Sequence, residues 1–286
     1  MKKLRNYLAF SNLFVSLCVT SITAQSMAVC KTGFNIPLLL IVFCSTVFIY
    51  NYYHYKLTLP DITHDAKRYE WHLKHKKLSI FMMSFCVIAI LILLWFISFN
   101  TIFMFAVLFG VVLSYSLPVF PGRHYRKLRD LPYIKVFLIS IVVSTITVSV
   151  PILEFSGWHA LMEIKHLMLL PERFLFIVAI TLPFDIRDMQ DDSKFHLHTI
   201  PVQFGISVTK WISTICLMIF TGLCIEHYIS YKGLTLQLLV SLTISAIISL
   251  LIVWNTNKNK ETFYYTYFVE GSMLLQSVLV IAATLL

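Results

Sequence analysis

The chain has 286 residues, 58% of them hydrophobic and 13% charged, with a mean hydropathy of +0.79 and a net charge of +9. A soluble domain carries about 25% charged residues, so this composition excludes an ordinary soluble globule and indicates an integral membrane protein. The positive balance suits anionic headgroups and phosphorylated ligands, and nothing in the chain points to nucleic-acid reading.

A helical span needs about 20 apolar residues. Nine stretches qualify in chain order: Tyr7–Val29, Phe34–Tyr53, Leu78–Phe99, Thr101–Leu117, Tyr133–Leu153, Glu172–Phe184 running on into an acidic segment, Val208–Tyr228, Leu234–Trp254 and Phe263–Leu286. The sixth is short, and only Asn100 separates the third from the fourth. The first could pass for a signal peptide, since it follows MKKLRNY, but eight further spans favour a retained helix. With nine spans and an inner N-terminus, eighteen of the 23 Lys and Arg residues fall on the inner side. Lys31, Lys165, Arg173 and Lys232 fall outside, and Lys135 lies within a span. This asymmetry predicts a multi-pass protein of the cytoplasmic membrane, with its N-terminus and charged loops cytoplasmic. The whole chain, 1–286, reads as one helical-bundle domain, all-α in class. Cys18, Cys30, Cys44, Cys86, Cys216 and Cys224 form no CxxC pair and read as packing residues.

Chemistry-bearing residues gather on the inner side. After the second span comes NYYHYKLTLPDITHDAKRYEW. Asp61 and Asp65 are four apart there, and they serve either as a second acidic site or as the cap and first-turn acid of a helix after Pro60. His54, His64, His72 and His75 lack the close pairing of a metal site and read as interfacial. The fourth span ends in Ser114, Tyr115 and Ser116, followed by Arg123, Arg126, Lys127 and Arg129. Arg presents a fork to phosphate oxygens and Lys a point charge, although the same cations serve as a positive-inside anchor. Lys135 opens the fifth span; from there it either snorkels to headgroups or reaches a ligand. Tyr115 reads as a belt aromatic or as a phenol beside a diphosphate.

The most informative run is FDIRDMQDDSKF. If the sixth helix continues, Asp185, Asp188 and Asp192 share one face within about 60°, and Asp191 falls off it. Carboxylates stacked at the end of a membrane helix repel one another and call for a cation. Mg²⁺ answers that need with one or two carboxylates, waters and substrate phosphate oxygens. The plainer alternative is a solvated acidic loop. Glu270, inside the last span, is either a functional intramembrane acid or a partner of Lys258 or Lys260.

At these residues the chain resembles the UbiA superfamily of intramembrane prenyltransferases. FLFIVAITLPFDIRDMQDDSKFHLHTIPVQFG, from Phe174 to Gly205, is similar to that family's second Asp-rich motif and the T-x-P…G ending at Thr199, Pro201 and Gly205. YSLP at Tyr115–Pro118, with the basic loop and Lys135, resembles the region between its fourth and fifth spans. The resemblance implies a Mg²⁺-dependent transfer of a polyprenyl group from its diphosphate to an acceptor such as an aromatic quinone precursor. It places Asp185, Asp188 and Asp192 on the metal, with Lys135 on the diphosphate and Tyr115 lining the site. It also implies substrate contacts from Asn51, Ser116, Arg123, Arg126 and Lys127. The family's first motif, NDxxDxxxD, is degenerate: Asn51 matches, but Tyr52, Tyr55 and Leu59 stand at the acidic positions. Asp61 and Asp65 could substitute only by a shift of register. The alternative function is a non-catalytic isoprenoid-lipid-binding membrane protein that keeps half a diphosphate site.

Overall fold

The computed structural model describes residues 2–56, 66–116, 118–120, 126–127, 133–194 and 197–285. Helix dominates, as the hydropathy pattern requires: in a bilayer only intra-segment hydrogen bonding satisfies the backbone of a lone span. The elements are α1 (Lys2–Phe10), α2 (Leu13–Val29), α3 (Ile36–Lys56), α4 (Ala66–Lys74), α5 (Lys76–Phe96), α6 (Phe99–Ser116), α7 (Ile134–Leu161), α8 (Ile164–Lys194), α9 (Ile200–Ile229), α10 (Leu236–Trp254) and α11 (Thr262–Thr284). A two-stranded antiparallel ladder, β1 (Pro118–Phe120) and β2 (Arg126–Lys127), follows α6 and sets Pro118 opposite Lys127. It is the one departure from all-helical structure among the described residues.

Among the described residues, seven helices are long and apolar enough to cross a membrane. Every expected span has a helical counterpart, but those for the first and fourth are short, Leu13–Val29 and Phe99–Ser114, so the count of nine is not confirmed. The first expected span breaks after α1, where Asn12 takes a left-handed φ of 63°. The third and fourth part at Ile97, whose backbone is extended, and Asn100 lies in the first turn of α6. The sixth differs most. It was expected to be short, yet α8 runs for 31 residues, with Pro171 and Pro183 inside it. At 1.5 Å per residue that is about 46 Å, well beyond a hydrocarbon core of about 30 Å. About twenty residues suffice to cross, so roughly ten residues of α8 exceed a membrane span.

The helices pack in the spatial order α5, α3, α2, α11, α10, α9, α8, α7, α6, with α2 also touching α7, and α8 touching α11. α5 and α6 turn much of their surface outward, with Phe81, Phe85, Trp95, Phe99 and Phe103 exposed, as a lipid-facing wall would be. The largest buried apolar cluster joins α2, α8, α9, α10 and α11 around Ile22, Phe176, Phe220, Leu242 and Tyr265.

One end of that cluster is polar. Glu172 Oε1 lies 2.8 Å from His227 Nδ1, both side chains buried. Beside them Arg173 Nη1 donates to Gln276 Oε1 at 3.0 Å and Gln25 Oε1 at 3.3 Å, and its Nη2 donates to Ser26 Oγ at 3.1 Å. The positive-inside count treats Arg173 as an outer-surface cation; instead it is buried and ties α8 to α2 and α11. Gly233 seals this end, since a Cβ there would lie 1.9 Å from His227 Nε2. Because Glu172 holds that ring, it has little room to yield. Gly233→Ala is expected to cost about 1–3 kcal/mol by overpacking, read as a lowered thermal midpoint in lipid or detergent.

Candidate active site

The opposite end of α8 carries the acidic run. Helix continues through it to Lys194, so the carboxylates project from a rigid rod rather than from a solvated loop. Asp185, Asp191 and Asp192 are buried, with relative exposures of 2%, 4% and 7%. Lys135 Nζ, from the first turn of α7, donates to Asp185 Oδ1 at 2.8 Å and to Asp188 Oδ2 at 3.5 Å. Arg187 Nε donates to Asp188 Oδ1 at 2.6 Å. Asp188 therefore stands between two cations. Asp191 pairs with Lys194 at 3.5 Å.

Local structure explains why Lys135 reaches this spot. Tyr133, at the N-cap of α7, takes a left-handed φ of 62°, unusual for a non-glycine residue. Its N–H donates to the His198 carbonyl at 3.3 Å, and its hydroxyl donates to Gln203 Oε1. Gln203 is also 3.0 Å from His198 Nδ1. The start of α7 is thus moored to the segment leading into α9, where Pro201 occupies the first turn and Gly205 breaks the helix with a φ of 83°. The same mooring fixes Lys135 opposite the end of α8.

Asp192 lies within electrostatic reach of Lys135, Asp188 and Asp185. Its Oδ2 is buried without a well-formed hydrogen bond, with only a weak contact to the Thr199 hydroxyl available to that carboxylate. A buried carboxylate oxygen left this way carries a large desolvation cost, which a hard cation would offset. No group of three or more His, Cys, Asp or Glu residues is assembled for a metal among the described residues. Mg²⁺ does not need one, because one or two carboxylates with substrate phosphates and waters complete its shell. The oxygen donors present suit that ion.

The remaining expected site residues divide. Asn51 is fully buried; its Nδ2 donates to Ser11 O at 3.0 Å and Val47 O at 2.8 Å, anchoring α3 to the α1–α2 joint. Its Oδ1 has no hydrogen-bond partner among the described residues. Tyr115 and Ser116 close α6, and Arg126 and Lys127 form β2; their side chains fall outside what the structure describes. Leu59, Asp61, Asp65, Arg123 and Arg129 lie outside the described residues. Tyr52 stacks on Phe48 at 6.0 Å, and Lys76 sits 5.1 Å from the Tyr55 ring centroid. Both tyrosines are about 40% exposed.

Three contributors were not legible. Arg187 counts in sequence only as a loop cation, yet its guanidinium lies 5.1 Å from the Phe184 centroid and 5.6 Å from Tyr265. Tyr265 opens a stretch of π-helix, Tyr265–Glu270, in α11, and its hydroxyl donates to the Asn257 carbonyl at 2.8 Å. Such π segments recur at functional sites, and this one aims Tyr265 at Arg187. The FYYTYF run was the available signal. His54, read as interfacial, is half-buried near Arg187 and Asp188. Glu270, at the end of the same π stretch, is buried in the interior near Cys18.

Comparison with solved structures places this arrangement among known folds. A UbiA homologue from Archaeoglobus fulgidus bound to GPP and Mg²⁺ superposes with a TM-score of 0.69 at 13% identity, covering 98% of each chain. A UbiA homologue from Aeropyrum pernix K1, in its apo form, gives 0.65 at 12% identity over 95% of this chain and 97% of that one. A digeranylgeranylglyceryl phosphate synthase gives 0.57 at 16% identity over 99% of each. At these identities the likeness shows the fold. A search of curated proteins finds no significant match. The family model described as the UbiA prenyltransferase family matches residues 71–273, more than half of the 286, and includes Lys135 and the whole acidic run. The chain belongs to the UbiA prenyltransferase family.

Proposed function

We propose that this protein transfers a prenyl group from a prenyl diphosphate to a small acceptor, an aromatic ring or a lipid, within the membrane. The observation that carries this reading is Lys135 held between Asp185 and Asp188 at the end of a membrane-length helix. Those side chains are 27%, 3% and 16% exposed, so the charges sit in a sheltered site rather than in bulk solvent. Asp185, Asp188 and Asp192 would hold Mg²⁺. When bound, Mg²⁺ supplies positive charge against the phosphate oxygens as the leaving diphosphate gains charge.

The chain's own residues do the rest. Lys135 is a three-donor point charge, already poised between two carboxylates, that can turn to diphosphate oxygens without leaving its place. Arg187 adds a second cation, whose plane Phe184 and Tyr265 keep fixed. The bond between the allylic carbon and the diphosphate oxygen breaks, and its electron pair leaves with the diphosphate. The acceptor's nucleophilic atom then bonds that carbon and loses a proton. Phe184, half-buried at this end of the bundle, presents an aromatic face that shelters an allylic cation from water, and buried Tyr265 backs it. Tyr115, Ser116, Arg123, Arg126 and Lys127 complete the proposed substrate contacts, and buried Asn51 acts by holding α3 in place. The acidic end of the bundle faces the cytoplasm.

Tyr52 and Tyr55, turned outward where the family motif has acids, favour a second reading, a non-catalytic binder of isoprenoid lipid. Release of diphosphate separates the two. Protein in native-membrane vesicles, which supply the acceptor, given geranylgeranyl diphosphate and Mg²⁺, is expected to release diphosphate together with a prenylated acceptor, and chelation of Mg²⁺ stops it. Binding without release would leave the binder. Lys135→Met, which keeps length but removes the donors, is expected to lower turnover about 10²-fold, with Lys135→Arg recovering part of it.

A further inference from the structure

The acidic end of the bundle carries a second polar group, on its flank. α9 is broken at Gly205, and its apolar run starts just after, at Val208. Lys210 and Trp211 therefore stand at the head of a membrane span. Beside them is Trp254, the last residue of the neighbouring α10. Lys210 Nζ donates to the Trp254 carbonyl at 2.8 Å and lies 6.0 Å from the Trp254 ring centroid. The Trp211 and Trp254 rings meet edge to face at 5.3 Å, and Trp254 Nε1 donates to Thr214 Oγ1 at 3.0 Å. The two tryptophans are 55% and 41% exposed.

A lysine at a span end ordinarily swings its ammonium out to water. Here the ammonium is tied to the C-terminal carbonyl of α10, where the helix dipole is negative, and so stays at a fixed depth. Its remaining N–H groups are open, and no carboxylate pairs with it among the described residues. The Trp211 indole N–H has no acceptor there either. Lys258 and Lys260 follow on the α10–α11 turn, with Lys260 5.0 Å from the Tyr264 ring centroid, and neither is ion-paired among the described residues. Glu261 is the only acid between Trp254 and Tyr264. This excess of positive charge calls for an anion.

The surface below the indoles is apolar. Ile215 and Met218 on α9, and Leu251 and Ile247 on α10, are each more than half exposed. Their spacing of three, four and seven residues from Trp211 and Trp254 continues the same two helix faces. A soluble anion gains nothing from such a surface, whereas acyl chains do.

We propose that Lys210, Trp211 and Trp254 form a binding site for one anionic phospholipid. Its phosphate accepts hydrogen bonds from Lys210 and the Trp211 indole, and its chains lie along α9 and α10. Lys258 and Lys260 favour a lipid of net negative charge over a zwitterionic one. The site does not depend on the prenyl-transfer reading, yet it adjoins that chemistry. The turn carrying Lys258 also presents the Asn257 carbonyl to the Tyr265 hydroxyl at 2.8 Å, and Tyr265 backs Arg187.

Native mass spectrometry of the full chain, titrated with phosphatidylglycerol or with phosphatidylcholine of matched chains, counts bound lipid directly. The parent is expected to hold phosphatidylglycerol about fivefold more tightly than phosphatidylcholine, and Lys210→Gln to lose that preference. Lys210→Arg should keep it. Trp211→Phe alters an exposed side chain, so folding is not at stake, and should weaken phosphatidylglycerol about threefold. Lys77→Gln removes an exposed cation at the start of α5 and should change nothing. Equal retention of the two lipids by the parent overturns the site. So does a loss in Lys77→Gln as large as in Lys210→Gln, the mark of diffuse surface charge. Undiminished phosphatidylglycerol binding in Lys210→Gln or in Trp211→Phe contradicts the assigned contacts. Displacement of the lipid by excess inorganic phosphate would show a soluble-anion site instead.

Discussion

Asp188→Ala is expected to lower Mg²⁺-dependent prenyl transfer by about 10³-fold or more, with the protein still folded. Asp188 is the carboxylate that Lys135 and Arg187 share, at 3.5 Å and 2.6 Å. Removing it strips a proposed metal ligand and frees both cations from their fixed positions. Loss of one preorganised electrostatic group in a sheltered site costs about 10²–10³, and losing the metal as well adds to that. Lys135 is 27% exposed and keeps Asp185 at 2.8 Å, while Arg187, 12% exposed, keeps its contacts with the Phe184 and Tyr265 rings. Transfer in reconstituted membranes, with circular dichroism as the folding control, checks this; activity within tenfold of the parent would refute the metal role.

The largest stability effect is expected at the other end of α8. Glu172→Leu removes one partner of a buried pair whose side chains are 4% and 1% exposed, and leaves His227 enclosed. Breaking such a pair costs about 3–5 kcal/mol, against about 0.6 kcal/mol for an average neutral hydrogen bond between membrane helices. A fall of roughly 5–15 °C in the thermal midpoint follows. The double change Glu172→Leu with His227→Phe replaces both polar partners by apolar ones and is expected to recover much of the loss. A midpoint for Glu172→Leu within about 1 °C of the parent would show that the pair holds nothing together.

The bundle and its acidic end were legible because both depend on short-range pattern. Hydropathy placed a helix under every expected span, though not polar α4, and the i, i+3, i+7 spacing put Asp185, Asp188 and Asp192 on one face. Lys135 stood out as a cation inside an apolar segment, the costliest place for one. What stayed hidden depends on partners far apart in sequence. Lys135 and Asp185 are 50 residues apart, and Glu172 and His227 are 55 apart. No local spacing marks either contact. Arg173 misled for the same reason: at a span boundary it counts as an outer cation, and only the fold shows Gln25, Ser26 and Gln276 closing around it. The sixth helix was missed at its start: the expected Glu172–Phe184, running on into the acidic segment, begins instead at Ile164, because Lys165, His166, Glu172 and Arg173 interrupt the apolar run there. Hydropathy ends at a charge, whereas helical hydrogen bonding does not. From sequence His54 reads as interfacial for want of a closely spaced histidine, because its stack on His72 requires α4 to fold back on α3.

The metal role of the acids on α8 is open to direct measurement. Mn²⁺ substituted for Mg²⁺ gives an electron paramagnetic resonance signal that broadens when the ion is immobilised. With geranyl diphosphate present, the parent protein in nanodiscs should immobilise Mn²⁺, and a variant with Asp185, Asp188 and Asp192 all changed to Asn should leave it free. Equal immobilisation by both would contradict the assignment of the metal to this helix.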